Sequence, residues 1–433
     1  YTTASAAGDL RILGQGLDLS RATVSGVFAP EITVDASFNT NILYAGIGSG
    51  DFSRLAGTGL SAGNYYNRSS TSNLGTNTSA LLITERAGIF ADDIIIDSQS
   101  GSQNPSLSIL GEVAASQGDL SINADGSILV QGRLSAADDV SLVTTSSVNS
   151  KNPVGADVQL SNGAITAGDT MVLEADSGSI VFGGGQLYSF GSITLDSLIF
   201  IDQSSSNPAT YNNSRFAVGD FALNIDDELN ASGTTWQGDN INMTGANLVA
   251  TINAGTNFIA STDMDLSLKQ LDNTGTLAAD QLLNIDASSA VTNQTAGIIK
   301  AKIGSTLTTP ILTNSGTWMA STDTGVAGSV VWKVGSIDNN RTGNLSSAQG
   351  WTLTDVNGGA TTTLTNAGTL ASETKLDASL ATLTNTGTLT VATRDSGSAS
   401  IWTVDNLSNS DQGTIFSGDD WQVNTALNRG AAI

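Results

Sequence analysis

The chain has 433 residues, a net charge of −24 and neither cysteine nor histidine. The negative charge makes nucleic acids and anionic lipid surfaces poor partners, because both repel an acidic protein. Without cysteine the chain has no disulfides and no thiolate metal sites, and without histidine it lacks the usual general base. Hydrophobic residues still reach 39%, which is too many for a disordered chain and enough for a continuous core.

No apolar run approaches the length of a membrane span, so we expect none. No signal peptide stands at Tyr1 either, and we expect the sequence to be a mature segment of a longer protein. The absence of cysteine is typical of a long exported chain, because an early disulfide would block its passage through a membrane pore. Drift in a cysteine-poor composition is the alternative.

A first repeat type fills much of the first half of the chain. Each copy has an apolar residue, a small or acidic turn, and two apolar residues at alternating positions, as in GAITAGDTMVL from Gly163 and GSIVFGGGQLYSFGSITL from Gly178. This alternation is typical of short strands joined by turns. The apolar positions that flank the turn lie six residues apart in three copies, as the pairs Leu134/Val140, Ile165/Met171 and Leu187/Ile193.

A second repeat type fills the second half, where a phrase close to Leu-Thr-Asn-x-Gly-Thr-Leu occurs six times. Its spacing is about twenty residues, apart from one gap of 52 residues between Asn314 and Asn366, and a recurring spacing of this kind indicates a repeat architecture. The asparagines of the six copies are Asn273, Asn293, Asn314, Asn366, Asn385 and Asn409.

Both repeat types predict an all-β fold, a right-handed parallel β-helix (solenoid) with loop insertions. One strand-turn unit cannot bury its own apolar face, whereas stacked copies can. We expect Leu277, Leu370 and Leu389 to form one apolar ladder inside the stack. We also expect each repeat asparagine to take a left-handed corner conformation and to hydrogen-bond its equivalent one coil along, and the following glycine to supply a sharp bend.

Three irregular stretches interrupt the repeats. We predict residues 1–220 to be a β-helix of the first repeat type with inserted loops near 39–78 and 204–220, and residues 221–433 to be a β-helix of repeats of about 20 residues. The third interruption, 323–357, accounts for the large gap in the second half and should hold an extra coil and an excursion.

Acidic residues cluster at four places along the chain. Such clusters supply oxygen ligands for Ca²⁺, but adjacent residues on a strand point to opposite faces, and no calcium-loop motif is present. We therefore interpret them as solvated turns and predict no metal and no cofactor. The clusters are Asp92-Asp93, Asp138-Asp139, Asp226-Asp227-Glu228 and Asp419-Asp420.

Aromatic and arginine side chains in the interruptions are the candidate partner-binding residues, because recognition concentrates on such side chains. Trp318 is excluded, since it occupies the slot of Leu277 in a sister repeat and should be core. The alternative is that all three interruptions are inert insertions, which cost little. The candidates are Tyr65, Tyr66, Arg68, Tyr211, Arg215, Trp332, Arg341 and Trp351.

The phrases LDNTGTLAAD and LTNTGTLTVA resemble the haemagglutinin repeats of two-partner secretion exoproteins, a family that includes filamentous haemagglutinin-like adhesins and contact-dependent inhibition proteins. The resemblance covers roughly residues 105–200 and 240–425. It implies secretion by a Gram-negative bacterium through an outer-membrane transporter partner, and a place at the cell surface. The chain departs from the family in having no Asn-Pro-Asn-Gly secretion motif and no C-terminal toxin segment, so we expect a middle section.

Two functions remain open. The first is a non-enzymatic cell-surface rod, an adhesin or a stalk that presents a receptor-binding or toxin segment, with a cell-surface receptor or polysaccharide as its partner. The second is a polysaccharide-binding or polysaccharide-cleaving β-helix protein, which the same fold supports. Cleavage needs neighbouring acids and bases, whereas histidine is absent here and the basic residues are scattered. We therefore expect no enzyme.

Overall fold

The computed structural model consists of strands, turns and bends, with no helix among the residues that it describes. This confirms the all-β prediction, and the strands form parallel β-solenoid coils. The described residues are 2–6, 10–14, 22–26, 31–36, 45–49, 81–83, 88–91, 93–98, 107–109, 111–115, 117–124, 126–144, 157–203, 214–325, 328–356, 362–391, 399–410, 412–418 and 420–430.

The chain divides into two compact units, Tyr1–Ile225 and Asp226–Ile433. The strands of the first unit are β1 (Thr2–Ala6), β2 (Leu10–Gly14), β3 (Ala22–Gly26), β4 (Glu31–Ala36), β5 (Ala45–Ser49), β6 (Leu81–Ile83), β7 (Gly88–Ala91), β8 (Asp93–Ser98), β9 (Leu107–Ile109), β10 (Glu112–Ala115), β11 (Leu120–Ala124), β12 (Ile128–Val130), β13 (Arg133–Ala136), β14 (Val140–Thr144), β15 (Val158–Leu160), β16 (Ala164–Ala167), β17 (Met171–Gly183), β18 (Gln186–Ser189), β19 (Ile193–Gln203) and β20 (Ser214–Ala217).

One strand, β21 (Phe221–Ser232), contains the boundary. The strands that follow it are β22 (Thr235–Gly238), β23 (Ile241–Thr244), β24 (Val249–Ile252), β25 (Asn257–Ala260), β26 (Met264–Asn273), β27 (Thr276–Ala279), β28 (Leu282–Asn293), β29 (Ile298–Ala301), β30 (Gly304–Asn314), β31 (Thr317–Ser321), β32 (Val330–Asn339), β33 (Asn344–Ser347), β34 (Trp351–Thr354), β35 (Thr363–Asn366), β36 (Thr369–Ser372), β37 (Leu376–Asn385), β38 (Thr388–Val391), β39 (Ser400–Asn409), β40 (Thr414–Ser417) and β41 (Trp421–Gly430).

One coil of the second unit illustrates the construction. The four-residue strand β27 is followed by a corner, then by the twelve-residue strand β28, and then by a turn that leads to β29. β27 pairs in parallel with β25 and β29, and β28 pairs in parallel with β26 and β30. Because each strand pairs with its equivalents in neighbouring coils, equivalent side chains stand in rows along the stack.

The apolar interior of each unit follows from the alternation read in the sequence. In the second unit Leu277 aligns with Phe258 and Ile299, and Leu370 aligns with Leu345 and Leu389. All of these side chains are buried, as the predicted ladder requires. In the first unit the six apolar positions named in pairs stand in two buried rows, one of Leu134, Ile165 and Leu187 and one of Val140, Met171 and Ile193.

The predicted interruptions contain more regular structure than expected. Strand β5 lies inside the predicted loop 39–78 and pairs with β3 and β7, and β20 lies inside the predicted loop 204–220 and pairs with β18. Residues 39–44, 50–78 and 204–213 lie outside the described residues. The segment 323–357 contains β32, β33 and β34, which form the expected extra coil. Uninterrupted loops over the first two ranges are therefore wrong, because small and polar residues also fit a strand that is paired on both sides.

A ladder of buried asparagines runs through the second unit. Each Nδ2 donates to the Oδ1 of the equivalent asparagine in the next coil, at 2.7–2.9 Å in all six links. The coil-to-coil bonding predicted from the repeat is thus confirmed, and Asn339 is a member that the sequence reading missed. The Asn ladder consists of Asn273, Asn293, Asn314, Asn339, Asn366, Asn385 and Asn409.

The left-handed conformation predicted for the repeat asparagines is wrong. Among the described residues only Asn162, outside the Asn ladder, combines a side chain with a positive φ, so the ladder asparagines are not left-handed. The glycine after them lies in a bend, as expected, at Gly275 and at several of its equivalents in other coils, and it also leaves space for the neighbouring coil. At Gly343 a Cβ would collide with the Asn339 side chain and the Asn314 carbonyl oxygen. Glycine is therefore required because the turn presses against the buried amides.

Candidate functional site

The structure describes some of the predicted partner-binding residues and not others. Tyr65, Tyr66, Arg68 and Tyr211 lie outside the described residues, so their role stays a prediction. Arg341 lies in an exposed turn between β32 and β33, and its contact role also stays a prediction.

Trp332 and Trp351 lie in the core and not on a loop surface. Both are fully buried, and the Trp332 ring lies 4.8 Å from that of Trp318 and 4.7 Å from that of Trp351. The Trp332 indole N–H donates to Ser305 Oγ at 3.2 Å. Their selection as partner-binding residues is wrong, because they occupy inward positions of regular strands. The expectation that Trp318 is core is confirmed.

Arg215 is also buried, and its selection as an exposed contact is wrong for the same reason. In β20 it aligns with Leu187, so it takes an inward position of the apolar row. Its Nη2 donates to Asp202 Oδ1 at 2.9 Å, and both side chains are fully buried. Its Nη1 donates to the Gly185 carbonyl oxygen at 2.5 Å, and the guanidinium lies 5.1 Å from the centre of the Phe182 ring. Without these partners the buried charge would be strongly destabilising.

Directly beside this ion pair, the outer wall of the first unit carries four large apolar side chains. Tyr188 and Phe216 align on neighbouring strands and stack at 5.3 Å with 17° between the ring planes. Phe190 meets the Tyr188 ring edge-on at 5.0 Å and is 58% exposed. Val218, which is 52% exposed, completes the group. We call Tyr188, Phe190, Phe216 and Val218 the aromatic patch.

Polar side chains border the aromatic patch. Thr166 aligns with Tyr188 on the neighbouring strand β16, and Gln186 is exposed on the same face of β18. The exposed carboxylate of Asp169 lies against Cα of Gly191, the residue after Phe190, where a Cβ would collide with it. Gly191 thus keeps this carboxylate next to the aromatic residue. The arrangement combines an apolar face with hydrogen-bonding groups at its edge, as ligand sites do.

Carboxylates of the corners bond to the next coil. Asp139 Oδ1 accepts from the Thr170 hydroxyl at 2.7 Å and from its N–H at 2.9 Å. In the second unit, hydrogen bonds from the Thr262 and Ser261 hydroxyls lower the pKa of Asp239. Among the described residues no three acidic side chains converge as metal ligands would. A carboxylate that caps a neighbouring coil is the role that the structure gives to Asp139 and Asp239.

Sequence reasoning missed the aromatic patch. Its members fall at equivalent places in GQLYSFGS and SRFAVGD, two successive copies of the first repeat type. The signal was present, since the positions that align with Tyr188 in the two preceding coils hold Ser135 and Thr166. It was hidden because the two copies are separated by the irregular stretch that begins at Ser204.

Comparisons of the chain with protein-family models, with curated proteins and with solved structures find no significant match. The resemblance to two-partner secretion exoproteins therefore rests on the repeat phrases alone and stays a prediction. Within the described part of the chain, no helix is long and apolar enough to cross a bilayer.

Proposed function

We propose that this chain belongs to a non-enzymatic, secreted protein of a bacterial cell surface, an adhesin or a stalk, in which β-solenoid coils form the scaffold and the aromatic patch makes a contact. The exposed rings of the aromatic patch, which contact one another on the outer wall, carry the proposal. Large exposed apolar groups on a soluble protein mark interaction sites, and aromatic side chains dominate recognition energetically.

The scaffold role is supported by how the coils are joined. The Asn ladder links seven coils of the second unit through buried amides. On an outer face, Asn284 donates to Asp265 at 2.6 Å and accepts from Thr306 at 2.7 Å. Polar groups that bond along the stack hold each coil to the next in a fixed register, which suits a protein that presents a contact surface.

The competing function is polysaccharide cleavage, which requires acids and bases that solvent and substrate can reach. The ion pair of Asp202 and Arg215 is fully buried. A second ion pair, Lys375 with Asp377, joins two residues that are two positions apart in the chain, at 3.0 Å. Neither pair favours catalysis over structural support, so we retain the non-enzymatic proposal.

Attachment and turnover should be measured on the same samples. Beads coated with the folded chain are incubated with bacterial and epithelial cells, and the soluble chain is incubated with a panel of polysaccharides in a reducing-end release assay. We expect cell attachment above that of albumin-coated beads and no release of reducing ends. Release that depends on the folded chain would overturn the non-enzymatic proposal, and failure to attach to any cell would overturn the contact role.

The candidates outside the described residues are tested by trimming. Residues 50–78 and 204–213 are each replaced by a short Gly-Ser turn, and Arg341 is changed to Ser in a third variant. Reduced attachment by a variant identifies its segment as a contact. Full attachment by all three leaves the aromatic patch as the contact surface and supports the interpretation of the interruptions as inert insertions.

A further inference from the structure

We infer that the aromatic patch binds a neutral polysaccharide chain, with Phe190 as the ring on which a sugar stacks and the bordering polar groups as partners for its hydroxyls. The inference rests on the proposed function, since it names the ligand class of the contact surface. It assigns a role to Tyr188, Phe190 and Phe216 that their position in the fold does not require, because their side chains are on the outer wall.

The geometry of the rings favours a ligand that stacks on one exposed ring over a cation enclosed between several rings. Phe190, Tyr188 and Phe216 contact each other at 5.0 and 5.3 Å between centroids, so no gap between them admits an ammonium group. An aromatic cage for a cation is therefore not formed. What the aromatic patch offers is an open apolar surface around Phe190, which is 58% exposed. The face of a pyranose ring carries C–H groups whose slight positive charge complements the negative face of an aromatic ring.

The bordering groups match the hydroxyls of a sugar. Asp169 supplies a carboxylate acceptor, Gln186 an amide donor and acceptor, and Thr166 a hydroxyl. Gln186 lies in β18 with Tyr188, whereas Thr166 in β16 and Asp169 after it belong to the neighbouring coil. A polar rim around an apolar face fixes the orientation of a ligand that presents both kinds of surface.

The charge of the protein argues against an anionic polysaccharide as the ligand, and the size of the aromatic patch argues against a protein partner. The net charge of −24 and the carboxylate of Asp169 beside Phe190 disfavour sulfated or uronic polymers, because like charges repel. A stable protein interface needs roughly 20–30 residues on each side, whereas the aromatic patch and its rim comprise seven. A neutral polymer, of which only a few sugar units need to contact the protein, fits a surface of this size.

The test is affinity electrophoresis of the full chain in gels that contain hydroxyethyl cellulose, laminarin or dextran, with heparin as the anionic comparison. The variant is Phe190→Ser. The matched control is Phe416→Ser in the second unit, because Phe416 is 56% exposed and aligns with Thr390 on the neighbouring strand. Phe190→Tyr keeps an aromatic ring and should retain binding. Thermal unfolding of every variant verifies that the fold is intact.

We expect at least one neutral polymer to retard the native chain and the Phe416→Ser chain equally. Phe190→Ser should weaken the association constant by about tenfold, which corresponds to about 1.4 kcal/mol. Equal retardation of all variants, retardation by heparin alone, or no retardation by any neutral polymer would each overturn the inference.

The attachment assay separates this inference from the proposed function. If coated beads attach to cells but no neutral polymer retards the chain, the ligand class is wrong and the contact role stands. If a neutral polymer retards the chain through Phe190 but the beads attach to no cell, the ligand class stands and the contact role fails. Concentration-dependent sedimentation that Phe190→Ser abolishes would instead identify a second copy of the chain as the occupant and overturn the inference.

Discussion

The two units bury polar groups in two different ways. In the first unit, Arg215 replaces one member of an apolar row and is compensated by Asp202 within a single local cluster. In the second unit, asparagine occupies the same inward position in seven coils, and each amide is compensated by its neighbour. Burial of a polar group is tolerated where a partner is supplied, and repetition supplies that partner without any charge.

A charged group that is buried with no hydrogen-bond or ion-pair partner should cause the largest loss of stability. Leu389 is fully buried between Leu370 and Ile415, and Leu389→Asp places a carboxylate there without a donor. We expect a loss of at least about 5 kcal/mol of unfolding free energy, confined at first to the neighbouring coils. Limited proteolysis should show new cleavage between residues 364 and 410.

The control for this change is Leu389→Met, which keeps volume and polarity and should cost less than about 1.5 kcal/mol. Unchanged protease resistance of the Leu389→Asp chain between residues 364 and 410 would mean that this position does not face the core.

Breaking the ion pair of the first unit should have the second largest effect. Asp202→Ala leaves Arg215 buried without its carboxylate, and its Nε already has no partner. We expect a loss of about 3–5 kcal/mol, whereas the double change Asp202→Leu with Arg215→Leu should be near neutral or stabilising. Hydrogen exchange of peptides that cover residues 185–217 measures the stability of the single and the double variant.

The second unit provides an internal reference for this experiment. All six tryptophans lie at or after Trp236, so tryptophan fluorescence reports on the second unit. It should unfold at an unchanged denaturant midpoint in the Asp202→Ala chain. If the single and the double change destabilise the first unit equally, the loss does not arise from an unpaired charge.

Removing one amide of the Asn ladder should have a smaller effect, because no charge is left behind. Asn314→Ala takes away the acceptor of Asn293, at 2.8 Å, and the donor of Asn339, at 2.9 Å. We expect a loss of about 1–3 kcal/mol in denaturant unfolding followed by tryptophan fluorescence. Asn247→Ala, in an exposed turn, is the matched control and should change stability by less than about 0.5 kcal/mol. Equal effects of the two changes would show that the Asn ladder does not stabilise the coils.

The smallest expected change in stability comes from a substitution of Asp239, at an exposed corner of the second unit. Hydrogen bonds from Thr262, and then from Ser261, hold the pKa of Asp239 below its ordinary value of 3.8. Because the folded pKa is depressed, the stabilisation is fully present above the unfolded pKa and is lost as the pH falls through the folded pKa. Asp239→Asn should therefore lower the unfolding midpoint slightly at neutral pH.

The difference between the native and Asp239→Asn chains should disappear as the pH is lowered stepwise below 3.8. A difference that persists unchanged across this range would mean that the carboxylate charge does not contribute. Tryptophan fluorescence follows both chains.

Much of the structure of the second unit could be predicted from the sequence, because equivalent positions can be identified by comparing copies of the repeat. Leu277, Leu370 and Leu389 occupy one slot of a recurring phrase, so parallel stacking puts them in one row. The same argument predicted the bonds between the ladder asparagines. It missed Asn339, although IDNNRTGN carries the Asn and Gly of the phrase at the spacing found in VTNQTAGI.

The inner or outer position of individual large side chains depended on the tertiary structure. Trp332, Trp351 and Arg215 looked like exposed anchors because they stand in irregular sequence, yet each falls on an inward position once its strand is paired. Phe190 and Phe216 looked like ordinary apolar residues, yet they face outward. One residue of register reverses the face of every side chain on a strand, and only the pairing of whole coils fixes that register.

The sequence by itself determined the fold class, the apolar rows and the coil-to-coil bonding of the repeat asparagines, because period and alternation are local properties that stacking preserves. Only the tertiary structure decided that glycine in the repeat yields space to the Asn ladder, that an arginine with its aspartate lies inside the first unit, and that aromatic rings from two successive repeats meet on its wall. Each of these depends on contacts between coils, and residues far apart in the chain become neighbours only when the coils are stacked.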